Sequence, residues 1–117
     1  MDSFLVFFYI LEQCYTLCHE DDLDGFLGAI SPELWTDGKP IDIAIYNDWQ
    51  TNNKNMKLDP VSIVIRIYEF LETYEKKFGY DFSKTKKTLI SDITEEMIRE
   101  ALKQAKIRYS IDANAGS

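Results

Sequence analysis

Residues 59–79 constrain this chain more than any other stretch. Asp59-Pro60 is a helix-start pair: the aspartate can accept from first-turn amides, and proline fixes φ where its missing N–H costs nothing. Val64, Ile67, Tyr68, Leu71 and Tyr74 then recur at helical spacing, and Gly79 supplies the stop. The spacing predicts an amphipathic helix over 61–78, with Lys76 and Lys77 complementing the negative end of its dipole. Such a helix has an apolar face to bury, so the rest of the chain must cover it.

The other segments show the same helical period. Residues 3–20 open on Ser3, a residue suited to N-capping, and are apolar without a break from Phe4 to Leu11. A helix apolar almost all round is either buried on most sides or pressed against a partner chain. Residues 22–30 place Leu23, Phe26, Leu27 and Ile30 on one face, and Ser31-Pro32 ends that element because proline drives its predecessor out of the α region. The segment 32–40, PELWTDGKP, holds two prolines and the Asp37-Gly38 turn pair; no period-two alternation flanks it, which favours an irregular connection over a short β-ribbon. Pro40 suits the first turn of a helix over 41–50, and the Asn-rich residues 51–57 read as a linker. After a short element over 82–90, Asp92 and Glu95 form a capping-box-like pair for a last helix ending near Tyr109, beyond which DANAGS is expected to fray. The expected fold is all-α: a compact bundle of about five helices in one domain spanning residues 1–117.

Sliding the sequence over itself by 60 positions aligns Leu11-Glu12 with Leu71-Glu72, Asp21 with Asp81, and Ile30-Ser31 with Ile90-Ser91, without a gap. Residues 3–31 and 63–91 thus read either as two copies of a helix-turn-helix unit or as the chance likeness of amphipathic helices. The all-α expectation does not depend on the choice.

Charge is divided unevenly between the two halves. Residues 1–58 hold ten acidic and three basic side chains, a net of −7, whereas residues 59–117 hold ten of each. The phosphate backbone of a nucleic acid would be repelled, so nucleic acid is not an expected partner. A one-sided excess of this kind suits electrostatic steering toward a basic protein; the alternative is a solvated face kept for solubility. Trp35, Tyr46 and Trp49 lie among Asp37, Asp42 and Asp48, and interfaces concentrate their energy in such aromatic anchors. One tryptophan of the two is expected to be partly exposed. The candidate partner-binding residues are therefore Glu20, Asp21, Asp22, Asp24, Trp35, Asp37, Asp42, Asp48 and Trp49.

Catalytic and metal chemistry find little support. Glu20, Asp22, Asp24 and Gly25 match the front of an EF-hand loop, but its closing glutamate is replaced by Ser31. Cys14 and Cys18 share a helical face, His19 lies about 100° further round, and a fourth soft ligand is missing. The cysteines read as buried thiols of a reducing compartment. There is no glycine-rich phosphate loop, so no cofactor and no enzymatic activity are expected. Lys84, Lys86 and Lys87 form the one basic cluster, with Glu69, Glu72, Glu75 and Asp81 near enough in sequence to cancel it. Asp2 stands where a secretory signal would carry a cation, and no apolar run reaches the roughly 18 residues of a membrane span. A cytoplasmic location without membrane association is expected.

DDLDGFLGAIS (residues 21–31) together with DGKPIDIAIYNDW (residues 37–49) resembles small acidic bacterial immunity proteins of polymorphic-toxin and contact-dependent growth inhibition systems. The resemblance covers about the first 50 residues, and departs from the pattern at Ile41, Ile43 and the Asn-rich segment after Gln50. It implies a non-enzymatic inhibitor that binds and neutralises a cognate toxin with a basic surface, often a nuclease. The alternative from the residues alone is a helical adaptor or regulatory subunit that oligomerises through its apolar first helix.

Overall fold

In the computed structural model, which describes residues 3–35 and 39–115 and side chains as far as Ile111, the apolar run from Phe4 to Leu11 becomes the inside of the molecule. Helix α1 (Ser3–Cys18) buries Phe4, Leu5, Val6, Phe7, Phe8, Ile10, Leu11 and Cys14, so cover comes from several sides at once. Helices α2 (Asp21–Ile30) and α3 (Ile43–Asn53) pack against it, as do α5 (Ser83–Ser91) and α6 (Glu95–Ala115). Helix α4 (Pro60–Phe78) closes the bundle against α5 and α6. A short 3-10 turn, Pro32–Leu34, follows α2. Among the described residues there are six α-helices and no strand. The radius of gyration, 13.4 Å, is what a single compact domain of this length adopts. Most of the apolar run of α1 is thus spent in the core, with Leu17 the large apolar side chain of this helix left exposed.

Aromatic rings fill the centre. Phe7 stacks on Trp49 with centroids 4.3 Å apart and meets Phe4, Phe26 and Phe70 at tilted or edge-on angles. Truncating Phe7 to alanine would cost about 3–5 kcal/mol, since neighbours fixed by their own helices cannot collapse into the space. On α6, Ile98, Ala101 and Ala105 form the buried stripe. The two alanines carry little bulk, which lets its backbone lie close to α1.

Several local expectations are corrected. Ser3 is the first described helical residue and its hydroxyl accepts from Trp49 Nε1 at 2.9 Å, tying the two helices together. Asp42, not Pro40, starts α3, its carboxylate accepting from the amides of Ala44 and Ile45. That helix runs on through Asn53, whose buried amide donates to the Trp49 carbonyl, so half of the expected linker is helical. Asp92 ends α5 with its own amide, and Thr94 caps the Met97 amide at the start of α6. The last helix continues through Ala115, well past Tyr109 and into the tail that was expected to fray. At α4 the reading holds: Asp59 accepts from the Ser62 amide, Pro60 opens the first turn, and Gly79 sits at φ 75° as the left-handed stop. The buried stripe, however, is Ile63, Ile67, Phe70, Leu71 and Tyr74, leaving Val64 and Tyr68 half-buried on its flank.

The order of long helix, left-handed junction, short helix occurs twice. His19 at φ 51° separates α1 from α2, and Gly79 separates α4 from α5, sixty positions later.

Candidate functional site

The structure places eight of the nine candidate residues, and in differing settings. Glu20 is turned inward. Its two carboxylate oxygens accept from the amides of Lys84 and Thr85 and from the Thr85 hydroxyl, at 2.8–3.0 Å. At 6% exposure it caps the start of α5, and it is withdrawn from the partner-facing set. The N-cap residue of α5, Phe82, offers no side-chain acceptor, and with Asp81 taking the Ser83 amide the next two amides are met by Glu20. Losing that carboxylate would cost about 2–3 kcal/mol through its charge-assisted hydrogen bonds. Asp22 Oδ2 accepts from the Asp81 amide at 2.6 Å, and Asp81 in turn accepts from Ser83, whose hydrogen bonds hold the Asp81 carboxyl below the usual range.

Trp49 is fully buried, which removes it as an anchor; its stacking on Phe7 and its hydrogen bond to Ser3 account for it. Trp35 is half-buried, its ring against Phe4 and its Nε1 donating to the Ile30 carbonyl at 2.9 Å. Of the two tryptophans it alone reaches the surface. Asp42 caps α3 and is half-buried. Asp48 accepts from the buried Tyr74 hydroxyl at 2.6 Å, and burial followed by that bond pushes the Tyr74 phenol up. Asp37 lies outside the described residues. Asp21 and Asp24, on α2, are exposed and without a described partner.

Among the openings of the described surface, three bear on the charge argument. A cleft between α3 and α4 is lined by Asp48, Asn52, Arg66, Glu69, Thr73, Tyr74 and Lys77, two carboxylates balanced by two cations. An apolar groove where α4, α5 and α6 meet exposes Val61, Ile65 and Ile90, with Glu95 as its polar member, and Glu95 is paired with Arg99. The third, about 470 Å³, lies between α1 and α2 and is lined by Phe8, Glu12, Tyr15, Thr16, His19, Asp24, Leu27 and Ser31. It holds two carboxylates and no lysine or arginine. Burial pushes the Glu12 carboxyl up, and the charge of nearby Glu33 adds to the effect. The sequence reading did not find this groove, although its spacing was available. Positions 8, 12, 15, 16 and 19 form one stripe of α1, and 24, 27 and 31 face it from α2.

Backbone amides and hydroxyls as partners leave a carboxylate's charge in place. Among the described residues of the first half, Glu33 is the carboxylate that meets a cation, Arg108, at 3.2 Å. In the second half, Lys86 joins Glu75 at 2.6 Å and Glu72 at 3.8 Å and lies over the Tyr68 ring, so the centre of the basic cluster is already occupied. Among the described residues the excess negative charge of the first half is therefore largely unpaired with cations. The EF-hand-like run is α-helical from Asp21 onward and turns Glu20 inward, so it forms no ligand loop. Among the described residues no three His, Cys, Asp or Glu side chains are grouped to hold a metal. Cys14 is buried and its thiol is pushed up to about 12, mainly by desolvation, which leaves it poorly suited as a nucleophile or ligand. No described helix is long and apolar enough to cross a membrane.

Comparison with protein-family models, with curated proteins and with solved structures finds no match to this chain.

Proposed function

We propose that this chain is a non-enzymatic, cytoplasmic immunity protein that binds and neutralises a cognate toxin domain, one with a basic cleft of the kind nucleases carry. The observation that supports it is the negative charge of the first half, where, among the described residues, Glu33 is the carboxylate that meets a cation. An inhibitor surface of that sign can occupy the place of a nucleic acid and accelerate encounter with a positive face. The resemblance of residues 21–31 and 37–49 to acidic immunity proteins leads to the same reading. Asp21 and Asp24 are exposed, so their charge can be reversed without removing a capping hydrogen bond, at the modest cost of their favourable place in the first turn of α2.

Co-purification with the product of the gene immediately upstream, followed by stopped-flow association at low and high salt, tests the proposal. A stable complex is expected, whose association slows about tenfold between 50 and 300 mM NaCl and again in an Asp21→Lys, Asp24→Lys variant. Absence of a complex overturns the reading. A complex indifferent to salt and to charge reversal removes its electrostatic basis.

A further inference from the structure

We infer that the groove between α1 and α2 is a seat for an arginine or lysine side chain presented by a partner protein. This rests on the reading of the chain as a binder of basic proteins and names where the cation goes. The groove combines two things a long cationic side chain needs. Phe8, Tyr15 and Leu27 provide apolar and aromatic walls for its methylene stem, and Glu12 and Asp24 provide a carboxylate from each flanking helix for its head.

Charge decides the occupant. The α3–α4 cleft carries Arg66 and Lys77 beside Asp48 and Glu69, and the apolar groove on α4, α5 and α6 has its one carboxylate paired with Arg99. Only the α1–α2 groove, of these three, joins apolar walls to unpaired carboxylates with no lysine or arginine among its lining residues. Glu33, on the adjoining 3-10 turn, adds to the upward shift of Glu12 and is itself paired with Arg108, which also donates to the Pro32 carbonyl. An entering guanidinium or ammonium would restore to Glu12 what burial removes.

The test uses a tripeptide, acetyl-Ala-Arg-Ala-amide, titrated into the whole protein and followed by backbone amide NMR. The control replaces arginine with citrulline, which keeps the shape and loses the charge. Millimolar binding is expected, with shifts confined to the amides around residues 12–19 and 24–31. The citrulline peptide should bind at least tenfold more weakly, and Glu12→Gln or Asp24→Asn should each weaken the arginine peptide several-fold. Shifts spread equally over Asp21, Asp59 and Asp92, or equal binding of the citrulline peptide, would overturn the inference. It separates from the toxin reading cleanly. A groove that takes the arginine peptide in a protein with no toxin partner keeps this inference and sinks that reading. A toxin complex unaffected by Glu12→Gln and Asp24→Asn does the reverse.

Discussion

Glu12 lies at the surface of α1, yet its charge is disfavoured in the folded state. Its folded-state pKa lies above the ordinary glutamate value because apolar neighbours, and secondarily Glu33, disfavour its charge. A raised folded-state value means the native protein binds the proton more tightly than the unfolded chain. The penalty is therefore absent at acid pH and complete once pH exceeds the folded-state value. Glu12→Gln should raise Tm at pH 7 and leave it unchanged near pH 4, as a pair of thermal scans would show. A gain that persists in acid would assign the effect to packing instead of charge. At this scale the sequence was least legible. Glu20 and Asp24 look alike as letters in an acidic run, yet one is drawn into the molecule by the bare end of a helix more than sixty positions away and the other is left in water. Trp49 and Trp35 differ for a similar reason: Phe7 is present to stack on the first.

The elements were easier to read, because helical period and caps are local properties. Helix α4 followed from Asp59, Pro60 and Gly79, and the first two helices from their apolar spacing. The errors fell at boundaries where two residues compete for one role: Asp42 over Pro40, and Thr94 over Asp92. The two left-handed junctions allow a paired test. His19 carries a Cβ into a conformation that disfavours it, while Gly79 does not, and nothing crowds the space around Gly79. His19→Gly should stabilise by about 0.5–1 kcal/mol, the relief of αL strain less the added freedom of the unfolded chain. Gly79→Ala should destabilise by about 1 kcal/mol. Urea midpoints moving in opposite directions is the expected result. A loss at both sites would mean that the edge-on contact of His19 with Tyr15, at 5.4 Å, outweighs the strain.

On the scale of the whole molecule, the charge excess is large against the dimensions, 41 × 30 × 26 Å. At 10 mM salt the screening length is about 30 Å, so the carboxylates of the first half repel one another across the entire body; at 150 mM it falls to about 8 Å. Salt should therefore raise Tm across that range, by about 4 °C for each 1 kcal/mol or so of relieved repulsion in a domain of this size. Asp21→Asn with Asp24→Asn should remove part of the rise, and an equal number of neutralised carboxylates after residue 59 should remove less. A flat or falling salt response would mean that local hydrogen bonding of these groups dominates their mutual repulsion.

The carboxylate of Glu20 closing the first amides of α5 joins two ends of a long loop of chain. Loop closure is costly before its contacts exist, and α5 is short, poor in apolar residues and without a cap of its own. Residues 83–91 are therefore expected to hold their helix only where the segment around Glu20, more than sixty positions earlier, is in place to receive them.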